Sequence, residues 1–282
     1  MKLLLVLLAL GARQFFPGEF GAGTVGRLSR QWRDLWLGRN AWSPWVSGAL
    51  IILLPLLILS VLLYALSSFW HGVFAILLSL AVVGWVLLDR HSPDALLRFQ
   101  EGWLGRGWAD TEADGQTDLI PQETDMALEL AKGRNELLRE RLSELFGPLF
   151  WFLLLGPVGM LAYYLIRLTA ELAELQTVGM LARDALFWAD WLPARVLALS
   201  FALAGNFVET WNYLRGRLLD WAYPPLNLLD EATAAAHPPR FAVSAESSPG
   251  AVLVLGLSEV EALLQRALII WIVLLALHTI LA

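Results

Sequence analysis

Long runs without a charged residue constrain this chain more than any other feature of its sequence. Two of them are neighbours, at 48–66 and 69–88, and a third lies at 148–166. Each has 19 or 20 residues without an acidic or basic side chain, apart from His71 in the second. A helix needs roughly 20 apolar residues to cross the hydrocarbon core of a bilayer, where backbone groups must bond within the segment. These three runs therefore predict membrane-spanning helices.

Three further apolar segments are shorter or interrupted. Residues 267–282 form an apolar run of 16, which predicts a final span. Residues 187–207 are apolar except for a few polar groups such as Asp190 and Arg195, so we expect a partial span there. Residues 1–10 have the charged start of a signal peptide but a poor cleavage site, which favours a short span or a re-entrant helix.

The composition agrees with a membrane protein. Hydrophobic residues make up 57% of the chain and charged residues only 16%, whereas soluble domains average about 45–50% and 25%. We expect an all-α, polytopic transmembrane protein with about 4–6 membrane segments. They would form a single integral membrane domain over 1–282, with charged loops and amphipathic surface helices in the extramembrane regions 89–147 and 208–266.

The distribution of arginine predicts the orientation. The region 11–47 carries an excess of arginine just before the first long span: Arg13, Arg27, Arg30, Arg33 and Arg39. Such residues mark the cytoplasmic side of a bacterial inner membrane. Because the next two spans form a hairpin with almost no connection, 89–147 returns to the same side. We expect most of 208–266 to be cytoplasmic as well.

Several functional classes find no support in the sequence. The chain has no cysteine, which removes disulfides, iron–sulfur clusters and thiol nucleophiles. Its four histidines are scattered, so we expect no metal site. The glycine pattern at 21–26 lacks the strand and acidic residue of a nucleotide site. The net charge of −6 comes without a basic stripe, so no nucleic-acid partner and no cofactor are expected. Ser200 is expected to bond its own helix backbone.

Polar residues in the partial span form the candidate site. They are Asp190, Arg195, Asn206 and Glu209, and Arg167 just after the third run is a further candidate. A charge inside a membrane costs several kcal/mol unless it is paired or hydrated, and such residues often mark a ligand cavity. The alternative is a structural Asp190–Arg195 pair with interfacial snorkelling of the other groups. No catalytic residue is assigned.

Two blocks carry a resemblance to a known family. They are LFGPLFWFLLLGPVGMLAY at 145–163 and DWLPAR at 190–195. Both resemble AmpE, a family of inner-membrane regulatory proteins linked to β-lactamase induction and cell-wall stress signalling. AmpE proteins are in turn similar to the CobD/CbiB cobinamide-phosphate synthases, membrane enzymes with a Pro-Leu-Phe block and a Pro-Ala-Arg block.

The sequence departs from the synthases on both sides of the first block. Their acidic and amide motifs are replaced here by RERLS at 139–143 and RLTA at 167–170. The resemblance therefore implies a non-enzymatic regulator or accessory protein that senses a small ligand or a membrane protein partner through a cavity near Arg195. The alternative is a membrane-bound ligase or transferase on the CobD/CbiB scaffold, and a small transporter is the third hypothesis. The lipid bilayer is the expected surrounding, and the oligomeric state is left open.

Overall fold

The fold is entirely helical over the residues that the computed structural model describes, and the all-α prediction is confirmed for them. Those residues are 6–7, 11, 31, 44–67, 73–88, 123–172, 177–237 and 249–281. The helices are α1 (Pro44–Ser67), α2 (Val73–Leu88), α3 (Glu123–Arg141), a π-helical turn (Leu142–Phe146), α4 (Gly147–Leu155), α5 (Pro157–Leu172), α6 (Thr177–Ala204), α7 (Phe207–Leu214), α8 (Pro225–Ala236) and α9 (Pro249–Leu281).

Three of the described helices are long and apolar enough to cross a membrane. They contain Ala49–Leu66 in α1, all of α6, and Leu253–Leu277 in α9. A shorter apolar helix covers Val73–Leu87. The run at 48–66 is thus a helix of spanning length, as its sequence predicts. The count of 4–6 membrane segments stays a prediction.

The run at 148–166 is two helices rather than one. Gly156 separates α4 from α5 and has a φ of 71°, a backbone conformation that costs glycine little. Pro157 then begins α5, where its missing N–H and fixed φ suit the first helical position. Glycine followed by proline inside an apolar run predicts a kinked helix. The structure instead has a complete break here, between helices of 9 and 16 residues.

Other boundaries also differ from those predicted. Of the predicted partial span 187–207, residues 187–204 form the end of α6, which has 28 residues and continues through Pro193, while Phe207 already begins α7. The earlier start of α6 is favoured by tertiary packing, because Val178 and Ala182 are buried. The run at 267–282 ends the 33-residue helix α9. Most of 1–10 and all of the glycine pattern at 21–26 lie outside the described residues.

The chain divides into two compact units, and the single integral membrane domain over 1–282 stays a prediction. The first unit comprises 1–91, 142–193 and 272–282. In it, α1 and α2 pack against each other and both pack against α5, while α4 packs against α5 and the π-helical turn. Fully buried side chains at its centre include Phe146, Phe152, Met160 and Tyr163.

The second unit comprises 92–141 and 194–271. Here α8 packs against both α3 and α7. Arg134 on α3 donates to both carboxylate oxygens of Asp230 on α8, at 2.5 and 3.0 Å. Arg141 at the end of α3 donates to Glu261 on α9 at 3.1 Å. Charged side chains thus connect the polar helix α3 to its neighbours in this unit.

Candidate functional site

The two blocks that carry the family resemblance contact each other in the first unit. The Tyr163 hydroxyl, at the end of the first block, donates to Oδ1 of Asp190 at 2.6 Å. Nε1 of Trp151 donates to the carbonyl of Ala189 at 3.1 Å. Gly147 lies against the Tyr163 ring, where any Cβ would collide. The polar groups of these blocks therefore join α4 and α5 to the first part of α6.

Arg167 is buried in α5, one turn after Tyr163. Its guanidinium donates to the carbonyl of Ser143 in the π-helical turn at 3.0 Å. It also lies 3.6 Å from the carboxylate of Glu171 and 5.9 Å from the centre of the Tyr164 ring. A π-helical turn opens the regular i→i+4 bonding and often marks a functional position. Arg167 thus ties α5 to the turn that follows α3 in the chain.

Arg195 belongs to the second unit and is only 3% exposed. Its guanidinium donates to the carbonyls of Leu218, Asp220 and Tyr223, at 3.1, 2.7 and 3.1 Å. These three residues lie in the turn between α7 and α8, residues 215–223, which we call the tip segment. A planar guanidinium with five N–H donors suits several carbonyls at once. Arg195 therefore anchors the tip segment to α6.

Asp190 and Arg195 have different partners in the structure. Asp190 accepts from the Tyr163 hydroxyl, whereas Arg195 donates to three backbone carbonyls. The two side chains thus satisfy their polar groups separately, and the ion pair considered in the sequence analysis is not needed to explain their burial.

Asn206 and Glu209 occupy the start of α7. The Asn206 side chain accepts from the backbone N–H of Glu209 at 3.4 Å, which makes it the N-cap of the helix. Both residues are exposed. An Asn followed three residues later by Glu is a sequence signature of a helix start. That signature would have indicated the capping role, and a ligand-binding role for either residue stays a prediction.

The candidate residues fall into two groups. Asp190 and Arg167 lie in the first unit, near Tyr163, while Arg195, Asn206 and Glu209 lie in the second. One of the two hypotheses drawn from the sequence places all five around one interhelical cavity near Arg195. None of the five candidate residues lines the cavity found in the described part of the first unit.

An apolar cleft of about 340 Å³ opens between α1, α2 and α5. Ligand pockets in proteins are commonly about 300–1,000 Å³. Among the described residues that line the cleft, none carries a carboxyl, imidazole, amine or guanidinium group, and the Thr169 hydroxyl donates to the carbonyl of Leu165 at 2.7 Å. The cleft is lined by Ile51, Pro55, Ile58, Leu59, Leu62, Val82, Trp85, Val86, Leu161, Tyr164, Leu165, Leu168 and Thr169.

Tyr164 connects the cleft to the buried arginine of α5. It lines the cleft, and its ring lies 5.9 Å from the guanidinium carbon of Arg167. A group that enters the cleft would therefore touch a side chain in contact with Arg167 and, through it, the π-helical turn at Ser143. Such an arrangement can bind a hydrocarbon ligand, and the Tyr164 hydroxyl is the one acidic group among its described lining residues.

Ser200 has the structural role expected from the sequence. Its hydroxyl donates to the carbonyl of Val196, one turn earlier in α6, at 2.8 Å. It also accepts a hydrogen bond from Nε1 of Trp271 on α9 at 2.9 Å. The hydroxyl therefore joins α6 to α9 within the second unit. It also satisfies the indole N–H of Trp271, a group that usually has a hydrogen-bond partner when it is buried.

Comparison with models of protein families, with curated proteins and with solved structures gives no match to this chain.

Proposed function

We propose that this chain is a non-enzymatic regulatory or accessory protein of a bacterial inner membrane, of the AmpE type. Its role would be in β-lactamase induction and cell-wall stress signalling. The proposal rests on one observation: polar groups of the two AmpE-like blocks form hydrogen bonds to other parts of the protein. Tyr163 and Asp190 bond to each other, and Arg195 bonds to backbone carbonyls. These hydrogen bonds hold helices and turns together, and the cleft of the first unit is lined by apolar side chains.

The cleft supports a ligand-sensing mechanism for this regulator. A lipid-like ligand between α1, α2 and α5 would press on Tyr164, which lies against Arg167. A shift of Arg167 would change its hydrogen bond to Ser143 in the π-helical turn. That turn directly follows α3 in the chain, so a ligand that favours one geometry of the turn would bias the end of the polar helix α3. The signal would pass from the membrane to an extramembrane helix.

The cleft can be tested with two matched variants on α1. Ile58 lines the cleft, whereas its neighbour Leu57 does not, and both side chains are largely exposed. Ile58→Trp should fill the cleft, and Leu57→Trp should add the same ring outside it. In a deletion strain, β-lactamase induction should be restored by wild type and Leu57→Trp but not by Ile58→Trp, at equal protein levels. Equal output from the two variants would contradict ligand sensing in the cleft.

The wider regulatory proposal has its own tests. If deletion of the gene leaves β-lactamase induction unchanged, the AmpE-type role fails whatever the cleft binds. A single chromosomal copy should also fail to restore cobalamin assembly to a strain lacking the CobD/CbiB synthase, because the synthase motifs are replaced at 139–143 and 167–170. Robust restoration would instead favour the enzyme alternative.

The proposed topology has 4–6 membrane segments and cytoplasmic large loops. It rests on the arginine excess at 11–47 and on the tight connection between the first two predicted spans. Fusions of a fluorescent reporter that matures only in the cytoplasm should be bright at Gly115 and at Ser247, both of which lie outside the described residues. A dark fusion at Gly115 would overturn the whole topology. A dark fusion at Ser247 alone would show that 187–207 does not cross the membrane.

A further inference from the structure

The tip segment presents large apolar side chains to its surroundings. Leu219 is 78% exposed and Trp221 is 62% exposed, values far above those of core residues. Two basic residues of the same turn, Arg215 and Arg217, are also exposed. Leucine, tryptophan and arginine are therefore grouped within seven residues at the end of the α7–α8 hairpin. This grouping is unusual for a turn that faces water.

Several polar contacts hold the tip segment in a defined conformation. Arg195 of α6 donates to three of its carbonyls. The guanidinium of Arg217 lies 4.2 Å from the centre of the Tyr213 ring, a cation–π distance. The Tyr223 hydroxyl donates to Glu231 at 2.8 Å and is 3.1 Å from the Tyr213 hydroxyl. The apolar side chains thus project from a fixed scaffold.

The neighbouring helix α7 extends the exposed apolar surface. Phe207 and Trp211 stack on each other with their ring centres 6.1 Å apart, and both are exposed, as is Val208. Helical spacing puts these three side chains on one side of α7, whereas Thr210 and Leu214 on the adjoining side are buried. The surface is therefore an aromatic stripe that ends in the tip segment.

The attachment point of the tip segment indicates what covers this surface. Arg195 fixes the tip segment to α6, and α6 is one of the helices long and apolar enough to cross a membrane. If α6 crosses the bilayer, a turn bound to its C-terminal half lies close to one face of the membrane. Tryptophan, leucine and arginine together are the composition of segments at the headgroup level, where rings and apolar chains meet the acyl boundary and guanidinium groups meet phosphates.

We propose that the tip segment inserts into the interfacial layer of the phospholipid bilayer. Leu219 and Trp221 contact the upper part of the acyl chains, and Arg215 and Arg217 face the lipid phosphates. The α7 stripe lies along the same layer. The hairpin then acts as a second membrane contact beside the spanning helices. This inference concerns a lipid contact of the second unit and does not depend on the regulatory function or on the cleft.

The absence of cysteine from the sequence gives a direct test. Full-length Leu219→Cys and Trp221→Cys are labelled separately with an environment-sensitive nitrobenzoxadiazole dye and reconstituted into phosphatidylethanolamine–phosphatidylglycerol vesicles. Because both side chains are exposed, the substitutions should leave the fold intact. Lys132→Cys on α3, whose side chain is 61% exposed, provides the matched control in the same unit. Quenching by lipids with nitroxide-labelled acyl chains is compared with quenching by aqueous iodide.

Lipid insertion predicts a blue-shifted emission at position 219 or 221, with more lipid quenching and less iodide quenching than at position 132. Equal iodide quenching at all three positions would put the tip segment in water and overturn the proposal. Shielding of both 219 and 221 from iodide without lipid quenching would indicate a protein partner or a second copy, and would overturn it as well. Quenching at only one of the two tip positions still supports insertion and identifies the deeper residue.

Discussion

Replacing Arg195 with alanine removes the donor of three hydrogen bonds to the tip segment. The side chain is 3% exposed, and its acceptors are the carbonyls of Leu218, Asp220 and Tyr223. None of these carbonyls is part of a regular helix that could offer a replacement donor. We therefore expect Arg195→Ala to destabilise the second unit and to release the tip segment.

The magnitude follows from the number of bonds and from their surroundings. A hydrogen bond that involves a charged group contributes about 1.5–3 kcal/mol, so three would sum to about 4.5–9 kcal/mol if no other group replaced them. Water can reach part of the turn, because Asp220 is exposed. The expected loss is therefore about 3–5 kcal/mol, the range seen when one partner of a buried charged contact is removed. Arg195→Lys keeps the charge but not the planar fork, so a loss near one such bond, about 1.5–3 kcal/mol, is expected.

Equilibrium unfolding in mixed detergent micelles, followed by protease sensitivity at the tip segment, provides the assay. Arg215→Ala is the matched control, because Arg215 is an exposed arginine of the same turn. It should change the free energy of unfolding by no more than about 0.5 kcal/mol. If Arg195→Ala proves as stable as Arg215→Ala, the three bonds do not anchor the turn and the reasoning is refuted. An Arg195→Lys variant that folds normally but loses regulatory output would revive the ligand-binding role predicted from the sequence.

Two further predictions concern the first unit and use the same unfolding assay. Tyr163→Phe removes the 2.6 Å bond to Asp190 and should lower the free energy of unfolding by about 1.5–3 kcal/mol. The double variant with Asp190→Ala should lose clearly less than the sum of the two single variants. Additive losses would show that the pair is not coupled. Gly147→Ala should cost about 1–3 kcal/mol because its Cβ would meet the Tyr163 ring and the carbonyl of Leu142. Gly84→Ala in α2, where nothing lies within 4 Å, should be neutral or stabilising, and similar losses for the two glycines would refute the steric explanation.

The membrane character of the chain could be predicted because it depends on local composition. A run such as 48–66 contains all the information that a spanning helix needs, namely length and an absence of charge. The break at Gly156 was also indicated locally, by glycine followed by proline. Whether the helix kinks or ends there could not be predicted, because a kinked helix and two separate helices have the same sequence signal.

The contacts of the candidate site could be predicted only in part. Sequence reasoning selected Arg195 because a charge in an apolar segment needs a partner. It could not identify that partner, since the acceptors are backbone carbonyls 23 to 28 residues later and a carbonyl has no residue type. Tyr163 was not selected, although its hydroxyl satisfies Asp190. The cleft was also missed, because residues facing a cleft and residues facing lipid are equally apolar.

The anchoring of the tip segment by Arg195 also sets an order of events during synthesis. Arg195 leaves the ribosome before its acceptors, the last of which is 28 residues further along the chain. At about 5–20 residues per second, that interval lasts roughly 1.4–5.6 s. If α6 inserts as a span, an unpaired arginine in its C-terminal half costs at most about 2.5–3.5 kcal/mol on the insertion scale during this interval. The end of α6 should therefore stay at the translocon, or partly outside the bilayer, until Tyr223 has emerged and the turn can close around the guanidinium.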